Sequence, residues 1–312
     1  MDLDPQVKVF VENSSSLPPA RSVAVADFRA GLQQYVKARE PFNLDLANII
    51  NTTVPGLDGD IPVRIYKPKV EGPLPALVYM HGGGFVIGTL DTEDMICQAL
   101  CYETECAVVS VDYRLAPEHP FPAAVDDTYS VVTWVHSHGE ELGIDSSRLA
   151  VAGASAGASL SAACTLKLRD ENKSIVCAQL LFYGSMEKLE LDSTQSMIDM
   201  ADGPIITADD ILFYQAQYLS REEDNIHPYA FPALAADHGR LPPAFVCVAE
   251  FDPARDSGIN YADKLKAADV SVEFKLYKGM THGFMSWLAS VDTAKTAITD
   301  ASSWLKQQFS QV

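Results

Sequence analysis

Six short, almost uninterrupted apolar runs recur along the chain from residue 75 onwards, and they constrain the fold more than any other sequence feature. Between about 20 and 60 residues separate successive runs, which is enough for a crossover helix each time. Continuous apolarity is typical of strands buried on both faces. The pattern predicts an α/β fold with a mostly parallel sheet, helices on both faces and chemistry at the carboxyl ends of the strands. The runs are PALVYM, CAVVSVDY, RLAVAG, AQLLFY, PAFVCVAE and VEFKLY.

The chain before residue 75 is organised differently. A short amphipathic segment around Val7 to Val11 is predicted to be helical, and a longer one follows. Two strand-like runs, LANIINTTV and IPVRIYKP, come next, joined across PGLDGD, whose Asp58-Gly59 pair favours a tight turn between antiparallel strands. The longer helical segment has apolar residues at Val25, Phe28, Leu32, Tyr35 and Val36.

Two further stretches stand outside this pattern. Residues 14–22, SSSLPPARS, are linker-like. Nearly 60 residues, 185–243, separate the fourth apolar run from the fifth, and they include the helical segment TADDILFYQAQYL with Thr207 as its predicted N-cap. An insertion of this size above the carboxyl edge of a sheet is a candidate lid.

Composition limits the classes of partner. The chain has 312 residues, 47% of them hydrophobic, which suffices for one large α/β domain or two ordinary ones. A net charge of −19 disfavours binding to nucleic acid and to anionic membrane surfaces. There is no apolar run of the roughly 20 residues that a membrane span needs, and the start MDLDPQVKVF lacks the pattern of a signal peptide. We expect a soluble, cytoplasmic protein.

Six cysteines could form a metal site or a disulfide, or they could be free thiols. Cys97 and Cys101 have the i, i+4 spacing of one helix face. There is no CxxC pair, however, and no histidine at ligand spacing. The sequence therefore favours buried or half-buried free thiols and predicts no metal.

Residues 153–157, GASAG, have two interpretations. Small residues could mark a tightly packed crossing from strand to helix, with Ser155 as filler. Alternatively, Gly-x-Ser-x-Gly is the pattern of a nucleophile elbow, a strained turn that projects a serine hydroxyl above the sheet. A serine hydroxyl is a poor nucleophile at neutral pH, so the second interpretation requires a base, an orienting acid and an oxyanion hole at other strand ends.

A glycine run supplies the candidate oxyanion hole. PALVYM leads directly into His81-Gly82-Gly83-Gly84, where backbone N–H groups can turn inward because no side chain obstructs them. A flexible loop or a phosphate cradle would be the alternative. Neither phosphate-binding fingerprint follows, because no Gly-Lys-Ser/Thr and no spaced Gly-x-Gly-x-x-Gly with a downstream acid is present. The strand-to-glycine context favours an oxyanion hole.

The base and the acid come from the last two strand-like runs. His282, in YKGMTHGF, is the histidine that follows the final run, in a glycine-flanked loop. PAFVCVAEFDPARD offers three acids: Glu250 at the strand edge, Asp256 in the predicted next helix, and Asp252 between them. Asp252 is the preferred candidate, and the chain order Ser, Asp, His is the one expected of α/β-hydrolases.

Five motifs together resemble the hormone-sensitive-lipase-like family of α/β-hydrolase esterases over roughly residues 46–312. The resemblance implies an eight-stranded α/β-hydrolase fold and a carboxylesterase for short acyl esters that uses no metal or cofactor and is often dimeric. It implies Ser155 as nucleophile, His282 as base and Asp252 as its orienting carboxylate. The oxyanion donors would be the N–H groups of Gly83, Gly84 and Ala156. The motifs are HGGGF at 81–85, DYRLAPEHPFPAA at 112–124, GASAG at 153–157, EFDPARD at 250–256 and HGF at 282–284.

The resemblance also divides the chain. It implies N-terminal cap helices over 1–45 and a catalytic domain over 46–312, with a cap insertion at about 185–228. In this family His81 is a structural member of the glycine loop, and the proline-rich stretch around Arg114 and Glu118 supports that loop. Phe28, Leu32, Phe213 and Tyr214 are candidate pocket walls, with packing inside the cap as their alternative role.

The sequence departs from the family pattern at two positions and leaves other functions open. Ala154 stands where the family usually has Asp, and Ala158 where it commonly has Gly. A non-catalytic receptor, such as the plant gibberellin receptor, shares the fold but lacks the triad histidine, whereas His282 is present here. Lactonase or amidase activity would use the same residues as an esterase.

Overall fold

The computed structural model of the protein describes residues 1–14 and 18–312. Part of the predicted linker, residues 15–17, lies outside the described residues. The strands form one eight-stranded sheet in the order β1-β2-β4-β3-β5-β6-β7-β8. Their bounds are β1 Asn48–Gly56, β2 Gly59–Lys67, β3 Leu74–Met80, β4 Ala107–Val111, β5 Ile144–Ala154, β6 Ala178–Phe182, β7 Ala244–Phe251 and β8 Val272–Thr281.

The predicted mostly parallel sheet is confirmed. Strand β1 pairs with β2 and β2 with β4 in antiparallel fashion, while every neighbouring pair from β4 to β8 in the sheet order is parallel. The six parallel strands correspond to the six apolar runs. Strands β3 to β7 are largely buried, because helices cover both of their faces. The sequence predicts that the edge strand β8 is buried on both faces as well, but Glu273, Leu276 and Lys278 are exposed. The carboxyl ends of the six parallel strands share one edge of the sheet.

The hairpin turn lies one residue earlier than predicted. Gly56 pairs with Gly59, so the two-residue turn is Leu57-Asp58 and Gly59 is already the first residue of β2. The glycine is used for its backbone conformation at the strand entrance, where φ is +132°. A residue with a side chain rarely adopts this angle.

Helices cover both faces of the sheet, as predicted. The core on one face contains apolar residues of α3 and α9, and the core on the other contains those of α4, α5 and α8. The nine α-helices of the described residues are α1 Pro5–Ser14, α2 Val25–Ala38, α3 Asp94–Thr104, α4 Ala123–His138, α5 Ala156–Asp170, α6 Gln195–Asp199, α7 Ala208–Tyr218, α8 Arg255–Ala267 and α9 Asp292–Phe309. Among these helices, none is long and apolar enough to cross a membrane.

The insertion helix α7 begins where the sequence predicts. Thr207 accepts a hydrogen bond from the Asp210 N–H (3.0 Å), and the Asp210 carboxylate accepts one from the Thr207 N–H (3.0 Å), which makes a capping box. The second oxygen of Asp210 accepts from the Ala20 N–H at 3.1 Å. Arg21 forms an ion pair with Asp209. These contacts join the N-terminal segment to the insertion.

Helix α2 lies against the loop that follows the glycine run. Arg29 donates to the carbonyl oxygens of Val86 (2.8 Å) and Ala116 (2.7 Å) and to the Glu118 carboxylate (2.8 Å). Helix α1 packs at another place, beside the end of β8, where the Phe10 ring stacks on Trp287 at 4.7 Å. The N-terminal segment therefore lies near the carboxyl edge of the sheet.

Candidate active site

Ser155 is the single residue between β5 and α5, and its backbone is strained. Its φ is 54° and its ψ is −119°. Such a conformation costs a residue with a side chain about 1–3 kcal/mol and persists only where its surroundings enforce it. Here the Ser155 N–H donates to the Phe182 carbonyl at the end of β6 (2.8 Å). The turn therefore places the hydroxyl at the carboxyl edge of the sheet.

The two glycines of GASAG are required by close backbone contacts. A Cβ on Gly153 would lie 2.3 Å from the carbonyl of Gly157, and a Cβ on Gly157 would lie 2.0 Å from the carbonyl oxygen of Met80 in β3. Side-chain carbons do not approach backbone atoms this closely. The small residues thus allow the strand, the turn and the helix to meet, and the serine is the one residue of the five that is only partly buried.

The structure brings Ser155, His282 and Asp252 together in a hydrogen-bonded chain. His282 Nε2 lies 2.9 Å from Ser155 Oγ, and His282 Nδ1 lies 2.7 Å from Asp252 Oδ2. Each residue directly follows a parallel strand: β5, β8 and β7. This geometry can transfer a proton from the hydroxyl to the imidazole while the carboxylate fixes the tautomer.

The triad is largely closed to solvent. Asp252 is fully buried, and its other oxygen accepts the Ala254 N–H at 2.8 Å. The His282 side chain is 12% exposed. Its ring and the Tyr183 ring pack edge-to-face, with 5.2 Å between their centroids. Burial strengthens the interaction of the carboxylate with an imidazolium, because little water screens it.

The two acids that the sequence left as alternatives serve other bonds. Glu250 accepts the Gly279 N–H at 2.8 Å and so joins β7 to β8. Asp256 lies in the first turn of α8, accepts the Ser196 N–H at 2.7 Å and pairs with Arg255 at 2.9 Å. Asp252 is the acid of the three that reaches His282.

The glycine loop faces the turn with unused donors. Gly83 and Gly84 have φ angles of 119° and 60°, which side chains disfavour. Within residues 1–14 and 18–312, no hydrogen bond engages their N–H groups. The N–H of Ala156 heads α5, where the first turn of a helix has no internal acceptor. These three groups can donate to an oxyanion.

His81 is a structural residue of this loop. Its ring is fully buried and stacks on Tyr113 at 4.2 Å, and Nδ1 lies 2.7 Å from the Gly82 carbonyl oxygen. Burial lowers the pKa of His81 to about 4, so the ring is neutral at physiological pH. A neutral ring donates from Nδ1 to that carbonyl.

The proline-rich stretch contacts the loop through its backbone. The Ala116 N–H donates to the Phe85 carbonyl at 2.9 Å. The Arg114 side chain points elsewhere and pairs with the buried Asp127 at 2.8 Å, and Glu118 pairs with Arg29 of α2. Support of the loop thus comes from backbone atoms of the stretch and from Tyr113, whose hydroxyl donates to the His81 carbonyl oxygen at 2.7 Å, while the charged side chains bind neighbouring elements.

The predicted free thiols are confirmed. All six cysteines are free, five of them buried and Cys177 half-buried. Cys97 and Cys101 lie one turn apart in α3 inside the core. Burial raises the pKa of Cys106 to about 12, which keeps that thiol protonated and unreactive.

The roles of two side chains at the site, Tyr214 and Glu93, were not predicted from the sequence. A Cβ on Gly84 would lie 2.3 Å from the Tyr214 ring, so this α7 residue covers the glycine loop. The sequence predicts Tyr214 only as a candidate pocket wall. Glu93 directly precedes α3 and belongs to no recognisable sequence motif. Its carboxylate nevertheless accepts a hydrogen bond from the Gly82 N–H at 2.9 Å. Neither contact could be inferred from local sequence, because each depends on two segments meeting in space.

The profile of a family described as an alpha/beta hydrolase fold matches residues 77–286. The carboxylesterase NlhH of Mycobacterium tuberculosis is 41% identical over 304 residues, which are 95% of this chain and 93% of that protein. The carboxylic ester hydrolase LipN of the same species is 38% identical over 271 residues, or 85% of this chain and 72% of LipN.

The chain is also similar to solved structures of esterases. A hyperthermophilic esterase from the archaeon Pyrobaculum calidifontis superimposes with a TM-score of 0.91 at 35% identity, covering 98% of this chain and 99% of that one. An ester-hydrolase from the metagenome of Lake Arreo, in complex with a derivative of bipyridine phosphonate, has a TM-score of 0.93 at 31% identity and covers 99% of both chains.

Proposed function

Because the chain belongs to the hormone-sensitive-lipase-like family of α/β-hydrolases and is a carboxylic ester hydrolase, we propose that it acts as a serine esterase through an acyl-enzyme intermediate. The observation that carries this proposal is the continuous chain from Asp252 through His282 to Ser155, with steps of 2.7 and 2.9 Å. A receptor would not need this row of hydrogen bonds, since ligand binding requires no proton transfer.

Acylation begins when Ser155 Oγ attacks the ester carbonyl carbon. His282 Nε2 takes the hydroxyl proton, and Asp252 stabilises the imidazolium that results. The negative charge that develops on the carbonyl oxygen is met by the N–H groups of the oxyanion hole, each worth on the order of 3 kcal/mol of transition-state stabilisation. The tetrahedral intermediate then collapses, the imidazolium gives its proton to the leaving alkoxide, and the alcohol departs.

Deacylation repeats the same steps with water. His282 takes a proton from a water molecule as its oxygen attacks the acyl carbon, and the oxyanion occupies the same three donors. When the second intermediate collapses, Ser155 Oγ leaves and recovers the proton from the imidazolium. The products are a carboxylic acid and a regenerated enzyme.

The triad is tested with Ser155→Ala. We expect kcat for p-nitrophenyl acetate to fall on the order of 10⁴- to 10⁶-fold while the melting temperature moves by no more than about 3 °C. A p-nitrophenyl phosphonate should label the wild type once per chain, at Ser155, and should leave the variant unlabelled. Hydrolysis near the wild-type rate by the variant would contradict the assignment.

We propose short acyl esters as the substrate class. The support is the cap formed by α2 and the insertion: Phe28, Leu32 and Tyr214 pack in one cluster with Val86 and Ile87 of the loop after the glycines. Tyr214 covers Gly84, so the cap leaves little depth beside the oxyanion hole.

This substrate class is tested with p-nitrophenyl esters of increasing acyl length. Each methylene that enters the pocket contributes about 0.8 kcal/mol, or about fourfold in kcat/KM, until the end of the pocket is reached. We expect kcat/KM to rise and then drop within roughly two to six acyl carbons. A steady rise through long acyl chains would identify a lipase instead.

A further inference from the structure

Glu93 is a buried acid beside the site for which the reaction above has no use. It lies directly before α3 and is 8% exposed. One carboxylate oxygen accepts the Gly82 N–H at 2.9 Å, and the other accepts the Tyr79 hydroxyl of β3 at 2.5 Å. A carboxylate is seldom buried without a reason, because removing its charge from water is costly.

The Glu93 carboxylate meets the nucleophile turn at the Gly82 α-carbon. A Cβ on Gly82 would lie 2.9 Å from Glu93 Oε1, 3.2 Å from the carbonyl oxygen of Ala154 and 3.4 Å from the Ser155 Cβ. The acid and the serine turn therefore both border the same face of Gly82, where no side chain would fit.

The orientation of Gly82 determines where the oxyanion donors point. The peptide bond is planar and trans, so the direction of the Gly82 carbonyl fixes the direction of the Gly83 N–H. His81 Nδ1 holds that carbonyl at 2.7 Å, and Glu93 holds the Gly82 N–H on the preceding peptide. Both peptides that flank Gly82 are thus anchored by buried side chains.

We propose that Glu93 is a positioning residue of the oxyanion hole, which it orients through the Gly82 N–H without touching the substrate. This inference rests on the proposed esterase function. Burial raises the pKa of Glu93 to about 7, so near neutral pH the acid is partly protonated. Both forms keep an acceptor for the Gly82 N–H, and a glutamine of the same shape would also supply one.

The test compares Glu93→Ala with Glu93→Gln. We expect Glu93→Ala to lower kcat about 10- to 100-fold with KM changed less than about threefold, because a transition-state contact is weakened. A trifluoromethyl ketone, whose serine adduct places an oxyanion in the hole, should bind Glu93→Ala more weakly by a similar factor. Glu93→Gln should recover both quantities to within about threefold of wild type.

Two more variants separate positioning from general loss of structure. Gln98→Ala removes a buried side chain of the same helix that bonds to Asp94 and to the 42–44 segment, so it should lower stability and leave ketone affinity unchanged. Tyr79→Phe removes one anchor of the carboxylate and should lower kcat and ketone affinity together by about three- to tenfold. It carries the test if Glu93→Ala does not fold.

The outcomes are distinguishable. Unchanged ketone affinity in both Glu93→Ala and Tyr79→Phe would overturn the positioning role, as would a Glu93→Gln variant as impaired as the alanine. The phosphonate reports the proposed function separately: if it fails to label wild-type Ser155, the esterase mechanism is wrong. Full labelling of wild type with an unaffected Glu93→Ala would refute the Glu93 role alone.

Discussion

A Cβ added to Gly157, behind the nucleophile turn, would lie 2.0 Å from the Met80 carbonyl oxygen, whereas one added to Gly31, in helix α2, would meet no atom of the described part of the chain within 4 Å apart from its neighbours in the same helix. The same residue type has opposite meanings in the two regions. At the sheet edge, backbone segments touch and leave no room for a side chain. In the cap, a glycine contacts nothing that would exclude one.

The forces that hold the two regions differ as well. The sheet edge is fixed by buried hydrogen bonds, such as those of Asp252 and Glu93. None of residues 25–38 in α2 is fully buried, and this helix is held by Arg29, whose side chain is 26% exposed, and by partly buried apolar side chains such as Phe28 and Leu32. The proposed catalytic side chains thus lie on parts that cannot move without steric conflict, while α2 is attached by partly buried polar and apolar contacts.

Gly157→Ala tests the close packing at the sheet edge, and of the variants in this comparison it should change the free energy of unfolding most. Its methyl group would overlap the Met80 carbonyl, so we expect destabilisation of more than about 4 kcal/mol, seen as loss of soluble, folded protein in circular dichroism and urea titration. A folded, active Gly157→Ala variant with a wild-type unfolding midpoint would break the comparison.

The buried acid at the same edge predicts a pH dependence of stability. Burial raises the pKa of Glu93 from 4.5 to about 7. The hydrogen bonds to Tyr79 and Gly82 lower this pKa, as do the charges of Arg39 and His282, but burial has the larger effect. The folded state therefore binds more protons than the unfolded state in this window, and stability falls as the pH rises through it.

Glu93→Gln isolates this contribution. The difference in unfolding free energy between wild type and Glu93→Gln should shift by about 3 kcal/mol against wild type between about pH 4 and pH 8. Urea unfolding of both proteins at several pH values measures it. A difference independent of pH would show that folding does not raise the pKa of Glu93, contrary to its burial.

Arg29 tests the attachment of the cap. Arg29→Ala removes bonds to two carbonyl oxygens and one carboxylate, and we expect a loss of about 1–2 kcal/mol in thermal or urea unfolding. Glu118→Gln is the matched control, because it removes only the exposed ion pair and should cost less than about 1 kcal/mol. Equal losses in the two variants would assign the attachment to charge instead of to the carbonyl bonds.

Gly31→Ala gives the smallest effect and the opposite sign. Alanine in an unobstructed helix interior should stabilise the protein by roughly 0.5–1 kcal/mol. Differential scanning calorimetry of this variant beside wild type measures it, and kcat for short esters should not change. Destabilisation here would mean that the cap is packed as tightly as the sheet edge.

The sequence predicted what depends on local pattern and failed where segments meet in space. The parallel strands were found because their burial imposes apolar runs, and Thr207 was found because an N-cap residue directly precedes its helix in the chain. Ser155, His282 and Asp252 were selected because each follows its own strand. Glu93 and Tyr214 act on Gly82 and Gly84 across the fold, and no local pattern marks such contacts.

The bond between Asp210 and the Ala20 N–H spans 190 residues, and it sets an order of events during synthesis. Ala20 and helix α2 leave the ribosome before the insertion, and the Asp210 acceptor is made about 10–40 s after Ala20 at ordinary elongation rates of 5–20 residues per second. Until the insertion is made, the apolar side of α2 lacks Tyr214, one of the residues with which it packs in the complete fold. Residues 20–38 are thus made early and secured late, and a nascent chain stalled before residue 210 would lack Tyr214, which packs in the same cluster as Phe28 and Leu32.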